Sequence, residues 1–117
     1  MYTTSKYDEI SSIMELVKYD MHVLYAEDEV VIRNTVSNFL TKFIFPNLIV
    51  ASDGAQALEI YKEYAQKGIL IDLVITDVTM PNMDGFEFIE QARSLNEDLF
   101  ALIVSGLDFG PYFNKIN

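Results

Sequence analysis

The sequence contains no cysteine, one histidine, and only eight lysines and arginines against eighteen acids in 117 residues. Without cysteine there are no disulfides, thiol nucleophiles or cysteine-ligated zinc sites, which fits a reducing compartment. With His22 alone, every site that needs two imidazoles is excluded, H-E-x-x-H among them. Long apolar runs are also missing. The stretch 99–104 falls far short of the ~20 residues that span a bilayer, and the polar start Met1-Tyr2-Thr3-Thr4-Ser5-Lys6 lacks a signal peptide's apolar segment. A cytoplasmic location without membrane contact is therefore expected. The shortage of basic residues leaves a formal net charge of −10, which repels nucleic-acid phosphates, so this chain is not expected to bind nucleic acid.

What remains suffices for one domain, since a chain of this length buries roughly 65% of its unfolded surface. Ile10, Ile13, Met14 and Val17 recur at helical spacing, with Asp8, Glu9, Ser11, Ser12 and Glu15 opposite them, which predicts an amphipathic helix over residues 7–18. The run 21–26 is short and apolar, bounded by Glu27-Asp28-Glu29, and predicts a buried strand. Glu29 is expected in the first turn of the next helix, where the helix dipole favours an acid. Val31, Ile32, Thr35, Val36, Phe39, Leu40 and Phe43 then restore the 3.6 period up to Pro46-Asn47.

The alternation repeats downstream. Strands are predicted over 48–51, 71–76 and 99–104, with helices over 55–67 and 86–95; Gly68 is placed as a helix stop. Strands alternating with helices of this length predict βαβ crossovers and a doubly wound parallel sheet, an α/β fold with helices on both faces. In such sheets the site lies beyond the carboxyl ends of the strands. Those ends carry Glu27-Asp28 after the first strand, Asp77 after the third and Ser105 after the fourth. Two like charges ~4 Å apart repel by ~4 kcal/mol at an effective dielectric of ~20, so three such carboxylates call for a proton or a cation among them. A hard divalent ion, Mg2+ above all, suits an all-oxygen set.

At this point the residues carry a family resemblance. Val23-Leu24-Tyr25-Ala26-Glu27-Asp28-Glu29, followed by Asp72-Leu73-Val74-Ile75-Thr76-Asp77-Val78-Thr79-Met80-Pro81-Asn82-Met83-Asp84-Gly85, resembles the receiver domain of two-component response regulators. The resemblance covers residues 21–117, and residues 1–20, an amphipathic helix and its link, lie outside it. It implies a flavodoxin-like sheet of strand order 2-1-3-4(-5). Asp77 matches the phosphoacceptor, a carboxylate nucleophile phosphorylated by a sensor histidine kinase or phosphotransfer protein. Glu27 and Asp28 match the acidic pair that holds Mg2+ together with Asp77, and the Thr79 backbone carbonyl matches a further ligand. Ser105 matches the hydroxyl that binds the new phosphoryl group and switches. Thr79 and Leu107 fall where the family tunes phosphoryl lifetime, while Pro81 and Gly85 match loop-shaping positions.

The pattern breaks where the family carries a phosphate-binding lysine at the end of a fifth strand. Lys115 falls inside the expected following helix, so the domain is read as truncated before that strand. The function implied is a phosphoacceptor signalling module that switches protein interactions and catalyses at most its own phosphorylation and dephosphorylation. The alternative is a degenerate receiver acting as a phosphorylation-independent binding module. An aspartyl phosphatase is disfavoured by Thr79, which stands where that chemistry needs an acid, and by the absence of G-x-x-x-x-G-K-[ST]. The first helix is expected to cover the face that a fifth helix would occupy, burying Ile10, Ile13, Met14 and Val17 on its own domain or in an exchanged homodimer.

Overall fold

The computed structural model describes residues 6–104. Helix α1 spans Lys6–Asp20 and strand β1 Val23–Ala26; α2 (Val30–Phe43), β2 (Leu48–Ala51), α3 (Gly54–Gln66), β3 (Leu73–Asp77), α4 (Gly85–Leu95) and β4 (Phe100–Val104) follow. The four strands form one parallel sheet in the order β2-β1-β3-β4. This is the predicted doubly wound arrangement of a flavodoxin-like fold.

Central position explains the apolar run of β1. All four of its residues are buried, with Leu24 and Ala26 on one face and Val23 and Tyr25 on the other. The first face packs on α3 and α4 through Ala57, Leu58, Tyr61, Phe88, Ile89 and Ala92. Phe88 is fully buried there, so truncation to alanine would cost about 3–5 kcal/mol. The second face is covered by α2 through Val36 and Leu40, and α2 has no fully buried residue. Cover therefore thins toward β4, whose Phe100 is 75% exposed.

Helix α3 stops as predicted at Gly68, where φ is +75° and the N–H donates to the Ala65 carbonyl at 3.0 Å. Strand β1 is shorter than expected because residues 21 and 22 are engaged elsewhere. The Met21 N–H still donates to the Val17 carbonyl of α1, and the His22 N–H donates to Asp72 Oδ2 at 2.7 Å. Glu29 is not in the first turn of α2 but at its N-cap, because the helix opens only at Val30.

The placement of α1 on the thinly covered face of its own domain is overturned. Ile10, Ile13 and Val17 are 57%, 58% and 47% exposed, and the outer edge of β4 has no strand paired to it among the described residues; the side chain of Met14 lies outside the described part. The link to β1 decides this. Asn47 Nδ2 donates to the Tyr19 carbonyl at 2.6 Å, which holds the end of α1 beside the α2–β2 connection, so Ile10 and Val17 face a groove formed with Phe43, Ile44 and Phe45. The exchanged form concerns a second copy and stays an expectation.

Candidate functional site

Parallel register brings the acids together. Ala26 pairs with Thr76, so the next residues, Glu27 and Asp77, leave the sheet side by side at its carboxyl edge. Period-2 alternation puts them on the side of Tyr25 and Ile75, and all four line a cavity of about 330 Å3 with Ile32, Val36 and Val104. Asp28 follows Glu27 in the β1–α2 turn. One carboxylate oxygen from each of Glu27, Asp28 and Asp77 lies within 4.8 Å of the others.

Glu27 is the buried member, only 4% exposed, with its N–H donating to the Ala51 carbonyl at 3.1 Å. Burial pushes its carboxyl up to about 7; a hydrogen bond with Asp77 and the charges of Asp77, Asp28 and Glu29 push the same way. A proton thus relieves part of the crowding. Asp77 Oδ1 accepts from the Val78 N–H at 2.8 Å, which fixes one side of that carboxylate. Burial also pushes the Tyr25 phenol up to about 12, helped by the charges of Glu27 and Asp77. The donor set is all oxygen, crowded and partly buried, and it fits a hard divalent cation.

The loop from Val78 to Asp84 is closed at its base by the Gly85 N–H, which donates to the Val78 carbonyl at 2.8 Å. Gly85 is required there because a Cβ would strike the Asp77 carbonyl oxygen. Within the loop Met83 N–H donates to the Pro81 carbonyl at 2.7 Å, so the expected loop-shaping positions sit at its turn and its closure. Thr79 is exposed in this loop, two residues beyond Asp77. Ser105, Leu107 and Lys115 lie outside the described residues.

Two contacts escaped the sequence reading. Arg33 Nη1 donates to the carbonyls of Glu27 at 3.0 Å and Asp28 at 3.2 Å. Asp53 caps α3 through the Gln56 N–H and accepts from Asn82 of the β3–α4 loop. The pattern Asp-x-x-Gln at 53–56 was a legible capping signal. An arginine one turn into a helix carries no such signature.

Comparison with known proteins decides the family. The model of the response regulator receiver domain matches residues 23–115. The chain belongs to that family. The receiver domain is 31% identical over 85 residues to the chemotaxis protein CheY of Bacillus subtilis, covering 73% of this chain and 67% of that protein. It is 40% identical over 65 residues to hybrid signal transduction histidine kinase I of Dictyostelium discoideum, which is 56% of this chain and 4% of the kinase. Among solved structures, CheY4 of Vibrio cholerae superposes with a TM-score of 0.60 at 35% identity, over 71% of this chain and 66% of that one. A Borrelia burgdorferi CheX–CheY complex with BeF3 and Mg2+ gives 0.63 at 27%, over 73% and 61%. The receiver domain is a two-component signalling module, and no described helix is long and apolar enough to cross a membrane.

Proposed function

We propose that the domain accepts a phosphoryl group on Asp77 from a cytoplasmic histidine kinase or phosphotransfer protein and passes the signal on through protein contacts. The observation that carries this is the convergence of Glu27, Asp28 and Asp77 oxygens within 4.8 Å at the sheet's carboxyl edge. Glu27, Asp28, Asp77 and the Thr79 carbonyl would hold Mg2+, whose charge would offset the acids and the incoming phosphoryl oxygens. The Borrelia relative was crystallised with BeF3 and Mg2+, which supports the same ligands for this chain.

The residues of the chain have separable tasks. Asp77 presents one carboxylate oxygen as nucleophile while Val78 N–H holds the other. Glu27 gives up its proton when a cation arrives. Ile32, Val36, Ile75 and Val104 give the cavity beside Asp77 an apolar wall. Ser105 is assigned the phosphoryl-binding switch.

The test is a titration of the chain with BeF3 and Mg2+, followed by amide NMR, for wild type and Asp77→Asn. Wild type is expected to shift residues around 27–29 and 77–79, and the variant to lose the BeF3 response. Equal responses would favour a phosphorylation-independent binding module.

A further inference from the structure

The turn that carries the acidic pair is held without an ordinary helix cap. Glu29 stands at the N-cap of α2 with extended backbone, φ −71° and ψ 114°, and its side chain makes no capping hydrogen bond. Ser, Thr, Asp and Asn are the usual caps, because a short side chain reaches the free N–H groups of the first turn. Here the turn is fixed from the helix side instead. Arg33 reaches back from the first turn of α2, and its Nη1 meets the Glu27 carbonyl at 3.0 Å and the Asp28 carbonyl at 3.2 Å.

Two consecutive peptide oxygens are thereby gathered on one guanidinium nitrogen. Arg33 is itself seated by its N–H, which donates to the Glu29 carbonyl at 2.7 Å, and Glu27 is tied to β2 through the Ala51 carbonyl at 3.1 Å. Residues 27–29 are thus pinned at both ends.

Where the guanidinium does not go matters as much. Three carboxylates crowd the same edge, yet Arg33 makes no ion pair among the described residues. An arginine bound bidentately to a carboxylate would occupy the lone pairs that a metal needs. On the carbonyls, it holds the backbone of both acids and takes up none of their carboxylate oxygens.

We propose that Arg33 is a positioning residue: by binding the Glu27 and Asp28 carbonyls it aims both carboxylates toward Asp77 and so sets the affinity of the site for a divalent cation. This rests on reading the site as cation-dependent. Groups that orient metal ligands without touching the metal typically change affinity 10–100-fold when removed.

The experiment titrates the full chain with Mg2+ alone, read by amide NMR on the folded molecules, for wild type, Arg33→Ala, Arg33→Lys and Asp77→Asn. Urea unfolding in EDTA reports stability separately. Arg33→Ala is expected to weaken Mg2+ binding about tenfold or more, and Arg33→Lys to regain part, since an ammonium can still donate to a carbonyl. A purely structural role would lower the urea midpoint and leave Mg2+ affinity per folded molecule unchanged. Arg33→Ala within twofold of wild type, while Asp77→Asn weakens binding, would overturn the role of Arg33 and leave the site intact. Asp77→Asn binding like wild type would overturn the site and the proposal together. Should Arg33→Ala not fold, Arg33→Gln replaces it: affinity in the order wild type, Lys, Gln supports the proposal, and equal affinities refute it.

Discussion

The side-chain amide of Asn82 donates to Asp53 Oδ2 at 2.8 Å, joining two loops whose residues are 29 apart in sequence. The other oxygen of Asp53 accepts from the Gln56 N–H at 2.7 Å and caps α3. These bonds, that to Gln56 first, hold the Asp53 carboxyl below its usual range. Asn82 also has a φ of +69°, a left-handed conformation that asparagine tolerates better than most residues. Asn82→Ala loses the bond and keeps the backbone strain, and should cost about 1–2 kcal/mol. Asn82→Gly loses the bond but relieves the strain, so its urea midpoint should lie between alanine and wild type. A glycine variant less stable than the alanine variant would contradict this account.

Two glycines separate close approach from backbone freedom. At Gly85 a Cβ meets the Asp77 carbonyl, backbone that cannot turn aside, so Gly85→Ala should cost about 1–3 kcal/mol and disturb Mg2+ binding as well. At Gly68 nothing lies within 4 Å of the added Cβ, and only the φ of +75° opposes alanine. Gly68→Ala should cost about 1 kcal/mol and leave Mg2+ affinity alone. Paired urea and Mg2+ titrations of the two variants check both halves.

The raised carboxyl of Glu27 sets a pH dependence with a definite sign. Between its usual value of 4.5 and about 7 the folded chain keeps a proton that the unfolded chain has lost. In EDTA, stability should therefore fall as pH rises through that window, by an amount on the order of 3 kcal/mol, and level off above about 7. Mg2+ competes with the same proton, so its affinity should climb with pH over the same range. Urea unfolding at pH 5, 6, 7 and 8 tests this, and Glu27→Gln should flatten the slope. A wild-type slope of opposite sign would refute the assignment to Glu27.

Much of this was legible because parallel strands all finish on one edge. A buried apolar run ending in Glu27-Asp28 and another ending in Asp77 had to deliver their acids to the same place once the sheet was parallel. The burial of Glu27 was not among the expectations, although period-2 alternation puts it on the side of the buried Tyr25. Other features depend on reach and direction, which a one-dimensional pattern does not carry. The Arg33 clamp needs a long side chain bent back over its own helix start. The Asn82 bond needs two loops to meet. For α1 the apolar stripe identified a helix but not the surface beside it, which the Asn47–Tyr19 contact determines.

The position of β1 at the sheet's centre has a consequence for how the chain is made. It is the first of the four described strands to emerge from a ribosome, and its four residues are buried only when both flanking strands have arrived. One of these is β3, entered just after Asp72, which lies 50 residues beyond His22. At about 5–20 residues per second, Val23, Leu24 and Tyr25 stay open to water for several seconds during synthesis. Among the described strands, the one that anchors the acidic site thus waits longest for its shelter, and slowing elongation before Asp77 should lengthen its exposure to chaperones and proteases.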